Sequence, residues 1–125
     1  MEKKVIRIPT NLNDFFKCWF IFLSPLHNLT NRELDVAAEF LKKRYELSKS
    51  IINNDDLLES TLMNEATKRE IRENCNLSAT HFQVIMGKLR KARIIENNRI
   101  NPKYIPNLKE DKGVIQLVIL FDINE

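Results

Sequence analysis

Two helix-start signals on either side of a very short turn constrain this chain more than any other feature of its 125 residues. Thr67-Lys68-Arg69-Glu70 reads as a capping box, in which the threonine hydroxyl and the glutamate carboxylate each satisfy a free N–H of a first helical turn. It predicts a short helix through Asn74. Ser78 is a strong N-cap residue and predicts a second, longer helix to about Ala92. Between them Cys75-Asn76-Leu77 leaves room only for a tight reversal, and Asn76 stands where a left-handed residue is commonly needed, a role asparagine fills best after glycine. In the second helix Phe82, Ile85, Met86 and Leu89 fall at i, i+3, i+4 and i+7, which defines a buried face. The opposite face holds Thr80, Val84, Gly87 and Lys91, flanked by Gln83 and Lys88. It is small and polar at one end and cationic at the other.

After Ala92 the pattern turns to β. Residues 93–96 and 99–105 read as strands joined at Asn97-Asn98, a polar loop follows, and residues 113–123 read as a further strand. Upstream, residues 3–8 predict an edge strand stopped by Pro9, and a helix from near Asn13 to Leu23 ends at Ser24-Pro25 because a residue before proline leaves the α region. Phe15, Phe16, Trp19, Phe20, Phe22 and Leu23 cover more than one face of that helix, so it is either central to a core or partly used to bind another chain. Thr30-Asn31-Arg32-Glu33 is a further capping box, opening an amphipathic helix of about four turns through Leu34, Ala37, Ala38, Leu41 and Tyr45. A shorter helix over 57–63 is expected, capped by one of Asn53, Asn54, Asp55 or Asp56. The expected fold class is α+β, mainly α, with residues 1–28 as an N-terminal strand and aromatic helix and residues 29–125 as the main domain.

The net charge of +3 hides an uneven distribution. Residues 65–109 carry ten Lys and Arg against four Glu, a balance of +6, and the rest of the chain is at −3. Such a segment suits a surface that meets a polyanion. Cys18 and Cys75 have no CxxC spacing and no paired His, and both are expected as reduced core residues with no metal and no disulfide. The apolar run at 15–23 is broken by Lys17 and too short to span a bilayer, so no membrane segment is expected and a cytoplasmic location is. With only Gly87 and Gly113, no Gly-rich phosphate loop can form, and no catalytic triad, metal-ligand or paired-carboxylate spacing stands out. The chain is expected to be no enzyme and to need no cofactor.

Ile71-Arg72-Glu73-Asn74-Cys75-Asn76-Leu77-Ser78, then Phe82, Ile85 and Leu89-Arg90-Lys91-Ala92-Arg93-Ile94-Ile95, resemble the winged helix-turn-helix proteins of bacterial transcription regulators and of plasmid or phage replication initiators. Leu29-Thr30-Asn31-Arg32-Glu33-Leu34 is similar to the leading helix of such regulators, and Ile100-Asn101-Pro102-Lys103-Tyr104 to the wing strand of some initiators. Arg72 departs from the pattern, which usually has a small residue there. The resemblance covers residues 29–106. It implies a winged helix-turn-helix with an N-terminal helical extension and C-terminal β-strands, binding duplex DNA.

On that reading Ser78, Thr80, His81, Gln83 and Val84 meet base edges in a major groove, and Lys88, Arg90, Lys91 and Arg93 meet phosphates. Arg99, Lys103 and Lys109 add charge from the wing. A homodimer through Phe15, Phe16, Trp19 and Phe20 is the further expected association. The alternative is a structural or assembly protein that uses the same fold to dock protein. His81 also reads as a plain exposed helix residue, His27 as a loop residue, and Tyr45 and Tyr104 as core-edge residues.

Overall fold

A computed structural model describes residues 4–108 and 113–125. Among these, six helices precede a short hairpin: α1 (Leu12–Phe22), α2 (Ser24–His27), α3 (Asn31–Ser48), α4 (Asp55–Leu62), α5 (Glu65–Asn74) and α6 (Ala79–Lys91), then β1 (Ile95–Glu96), β2 (Arg99–Ile100) and a 3-10 turn at Pro102–Tyr104. The protein is mainly helical with a small antiparallel sheet of two strands.

The hub is α3, which packs on α1, α4, α5 and α6. It starts at the expected capping box, with the Thr30 N–H donating to Glu33 Oε1 at 3.0 Å. It runs eighteen residues, five turns where four are expected, because Leu47 still packs against the core beyond Tyr45. Val36, Phe40 and Leu41 are buried on it, opposite Phe16 and Phe20 of α1, Ile71 of α5 and Phe82, Ile85, Met86 and Leu89 of α6. Phe16 and Phe20 are thus spent inside this chain's own core and present nothing to a partner. Phe15 and Trp19 lie half-buried against the same core, and the Trp19 indole N–H donates to the Tyr104 carbonyl at 2.8 Å. Cys75 is buried, but Cys18 is only half-buried.

Proline does end α1, but it also begins α2, since its missing N–H falls in a first turn that has no acceptor for one. His27, expected in a loop, is instead a buried joint. The Leu29 N–H donates to its Nδ1 at 3.0 Å, so Nε2 carries the proton and donates to the Phe20 carbonyl at 2.8 Å. Helix α4 begins two residues early, capped by Asn54, whose Oδ1 accepts the Leu57 N–H. The cap of α5 is Asn64 rather than Thr67: Asn64 Oδ1 accepts the Thr67 N–H at 2.8 Å, and the Thr67 hydroxyl, now inside the helix, donates to the Thr61 carbonyl.

The strand expectations fare worst. Residues 4–8 and 114–123 form no strand, and their apolar side chains are exposed except for the half-buried Ile115. β-branched composition favours an extended backbone, but a strand exists only where a neighbour supplies hydrogen bonds. The strand expected over 99–105 stops at Ile100, where Asn101 Oδ1 accepts the Lys103 N–H and Pro102 turns the chain into the 3-10 turn. Tyr104 follows into full burial.

Candidate nucleic-acid interface

The α5–turn–α6–hairpin unit is held by two identical helix stops. At the end of α5, Asn76 is left-handed with φ of 60°, its N–H donates to the Glu73 carbonyl, and the Leu77 N–H donates to the Arg72 carbonyl. At the end of α6, Arg93 is left-handed with φ of 61°, its N–H donates to the Arg90 carbonyl, and the Ile94 N–H donates to the Leu89 carbonyl. Both are Schellman motifs, in which the buried residue after the left-handed one packs back on the helix. Arg72, large where the resembled pattern has a small residue, fits because its guanidinium reaches around to the Leu77 carbonyl at 3.3 Å. Ser78 then starts α6, its hydroxyl accepting the His81 N–H at 3.1 Å.

This framing decides which face of α6 is free. Phe82, Ile85, Met86 and Leu89 point into the core, as expected. Ser78, Thr80, His81, Gln83, Val84, Gly87, Lys88, Arg90 and Lys91 are all exposed. A Cβ added at Gly87 would meet nothing within 4 Å, so the outer surface is flat and open at its middle. Thirteen residues give this face a length of about 20 Å.

At the far end of α6 the hairpin returns through Asn97 and Asn98, with φ of 53° and 58°. Two left-handed residues in a two-residue loop are what a type I′ turn requires, and the register Ile95↔Ile100 and Glu96↔Arg99 follows from it. Asn101 ties the hairpin to the helix, its side-chain amide donating to the Arg93 carbonyl at 2.9 Å and its N–H donating to the Ile94 carbonyl. An open recess of about 370 Å³ results, lined by Arg90, Arg93, Ile95, Glu96, Asn97 and Asn98. Two guanidiniums on one recess suit a phosphate, which they can meet with parallel N–H donors, and Glu96 beside them opposes it.

Carboxylates engage some of the described cations and leave others unpaired, on this surface and elsewhere. Lys17, Arg32, Lys43, Arg44, Lys68 and Arg99 each lie within 4 Å of a carboxylate. Lys88, Arg90, Lys91 and Arg93 have no such partner among the described residues. Arg99 is brought near but engaged, its guanidinium 3.1 Å from Asp56 of α4 in an exposed pair. Such a pair contributes ~1 kcal/mol at most, so a phosphate could displace it. Lys103 lies over the Tyr104 ring, 5.9 Å from its centroid, and does not line the recess. Lys109 lies outside the described residues.

Sequence reasoning missed one part of the surface. A second recess of about 180 Å³ lies between α5 and the start of α6, lined by Lys68, Arg69 and Arg72 together with Ala79, Phe82, Gln83 and Glu65, the last of which pairs with Lys68 at 3.1 Å. The signal was present in the spacing of those three cations along α5, but they were counted only as net charge. Among the described residues no group of three His, Cys, Asp or Glu side chains is placed to hold a metal ion, and no helix is long and apolar enough to cross a membrane. Compared with protein-family models, curated proteins and solved structures, the chain matches none.

Proposed function

We propose that this protein binds duplex DNA with sequence selectivity, that α6 is its recognition helix and the β1–β2 hairpin its wing, and that the unit from α3 to the hairpin is a winged helix-turn-helix. The observation that carries this reading is the outer face of α6, exposed along its length and ending in four cations that have no carboxylate within 4 Å among the described residues. A purely structural account of those cations is that Lys88, Arg90 and Lys91 complement the negative end of the helix. That effect is about 0.3 to 1 kcal/mol per charge and fades within the last turn, so it does not explain Arg93 beyond the helix end in a strained backbone. Recesses with Arg or Lys at both ends of a face about 20 Å long would let the helix cross a major groove of ~12 Å with cations near both backbones. Thr80, Gln83 and Val84 then face the bases, where Gln83 can pair with adenine and Val84 can touch a thymine methyl. The role that follows is a transcription regulator or a replication initiator, working in the cytoplasm without chemistry of its own.

The test is fluorescence anisotropy with random and genomic duplexes at two salt concentrations. Wild-type protein is expected to select a genomic fragment, with log K falling by ~0.9 per phosphate neutralised as log salt rises. Lys88→Glu with Lys91→Glu is expected to weaken binding about 100-fold or more and to flatten the salt slope by about two contacts. Unchanged affinity in that variant would sink the assignment of α6 and favour the protein-docking alternative.

A further inference from the structure

Two segments of this chain carry apolar side chains that its own fold leaves uncovered. One precedes α1 and holds Val5, Ile6 and Ile8; the other follows Gly113 and runs from Val114 to Ile123. Ile6, Phe121 and Ile123 are each more than four-fifths exposed. Neither segment joins the two-stranded sheet, and among the described residues no backbone hydrogen bond links one to the other. An extended, β-branched segment with free N–H and C=O groups is a template for strand pairing.

The two sequences complement each other in one register. Placed antiparallel with Arg7 opposite Asp122, Lys4 falls opposite Glu125, Ile6 opposite Ile123 and Ile8 opposite Phe121. Both charge pairs have opposite signs. Both apolar pairs lie on one face, because alternate residues of a strand project the same way, and Ile119, Leu117 and Ile115 continue that face. A slip of one residue sets Asp122 against Ile6 or Ile8 and destroys the match. Pairing the later segment with itself leaves Asp122 without a cation, since residues 113–125 contain no Lys or Arg.

We propose that the segment before α1 in one copy pairs as an antiparallel strand with residues 114–125 of a second copy, and reciprocally, so that two chains close a twofold dimer. Within one chain the two segments are tethered at an effective concentration of millimolar order, yet among the described residues no backbone hydrogen bond joins them. A second copy carries the same complementary pair free of that constraint, and what each chain gives it also receives, which closes the assembly at two. The aromatic helix α1 then serves the core, and association falls to the segments on either side of the folded body. The proposal is independent of duplex binding.

Sedimentation velocity and light scattering on the full chain, over two decades of micromolar concentration, test it. Wild type is expected to dimerise. Arg7→Glu and Asp122→Arg are each expected to move the midpoint of the monomer–dimer curve up about tenfold, because each sets like charges opposite one another twice per dimer. The double variant, with the charges exchanged, is expected to return to within about threefold of wild type. Both sites lie outside the core, so circular dichroism should be unchanged. A wild-type monomer throughout, or a dimer indifferent to both reversals, overturns the proposal. So does a monomer in which the Ile6 and Ile123 amides exchange slowly, since the strands would then pair within one chain.

Discussion

Arg93 sits in a left-handed conformation that glycine adopts freely and a residue with a Cβ adopts at a cost of roughly 1 to 2 kcal/mol. The stop after α5 uses asparagine at the matching position, the usual second choice. An arginine there opposes the fold's own interest, and backbone strain of this kind is a pointer to function when the side chain faces a site. Arg93→Gly is therefore expected to raise stability by about 1 kcal/mol, read as a higher denaturant midpoint, while weakening duplex affinity about threefold to tenfold. A gain in stability with no loss of binding would remove Arg93 from the interface. Asn76 and the Asn97-Asn98 pair were legible in the sequence for the same local reason, because a left-handed backbone restricts residue type without reference to distant contacts.

At the scale of elements, α4 is pinned to α3 through a buried carboxylate. Glu59 is 4% exposed, its Oε1 accepts from Arg44 Nε at 3.0 Å, and its Oε2 has no hydrogen-bond partner among the described residues. Removing the cation leaves a charge stranded in the core, whereas removing both groups leaves only packing to repair. Arg44→Met is expected to cost about 3 kcal/mol in urea unfolding, and Arg44→Met with Glu59→Met much less than that. Equal losses in the single and double variants would mean that the pair contributes by shape alone. Most helices were legible because caps and a 3.6-residue period are local signals, as Thr30 with Glu33 and Ser78 with the His81 N–H illustrate. The start of α5 was misread because Asn64 and Thr67 are both good caps one turn apart, and what decides is that the Thr67 hydroxyl finds the Thr61 carbonyl. The strand at 114–123 was misread for the opposite reason, since its partner is not written in its own residues.

For the whole molecule, the core meets at Cys75, buried in the turn between α5 and α6. Burial, with Glu39 and Asp35 nearby, pushes its thiol up to about 11. In the unfolded chain a cysteine releases its proton near pH ~8.5, so between there and about 11 the unfolded state binds fewer protons than the folded one and stability falls as pH rises. Burial also raises the Tyr104 phenol, which extends the loss in the same direction at higher pH. The urea midpoint is expected to be level near neutrality and to decline above pH ~8.5, with the first part of that decline absent in Cys75→Ala. A midpoint that stayed level to pH ~10 in wild type would mean the thiol is not held in the core. The placement of the recesses was only half legible, because net charge along the chain cannot tell a cation already paired, such as Arg99 with Asp56, from one with no carboxylate near it among the described residues, such as Lys91.

The chain has a single tryptophan, and it is tethered to the backbone that leaves the hairpin, through the hydrogen bond from Trp19 to the Tyr104 carbonyl. Its emission therefore comes from one known place, the seam between α1 and the segment that anchors β2. An event that loosens Asn101 from the Arg93 carbonyl reaches the indole, because the Tyr104 N–H donates to the Asn101 carbonyl and the Tyr104 carbonyl accepts from Trp19. The protein carries its own optical gauge of how that hairpin is seated, without an added label.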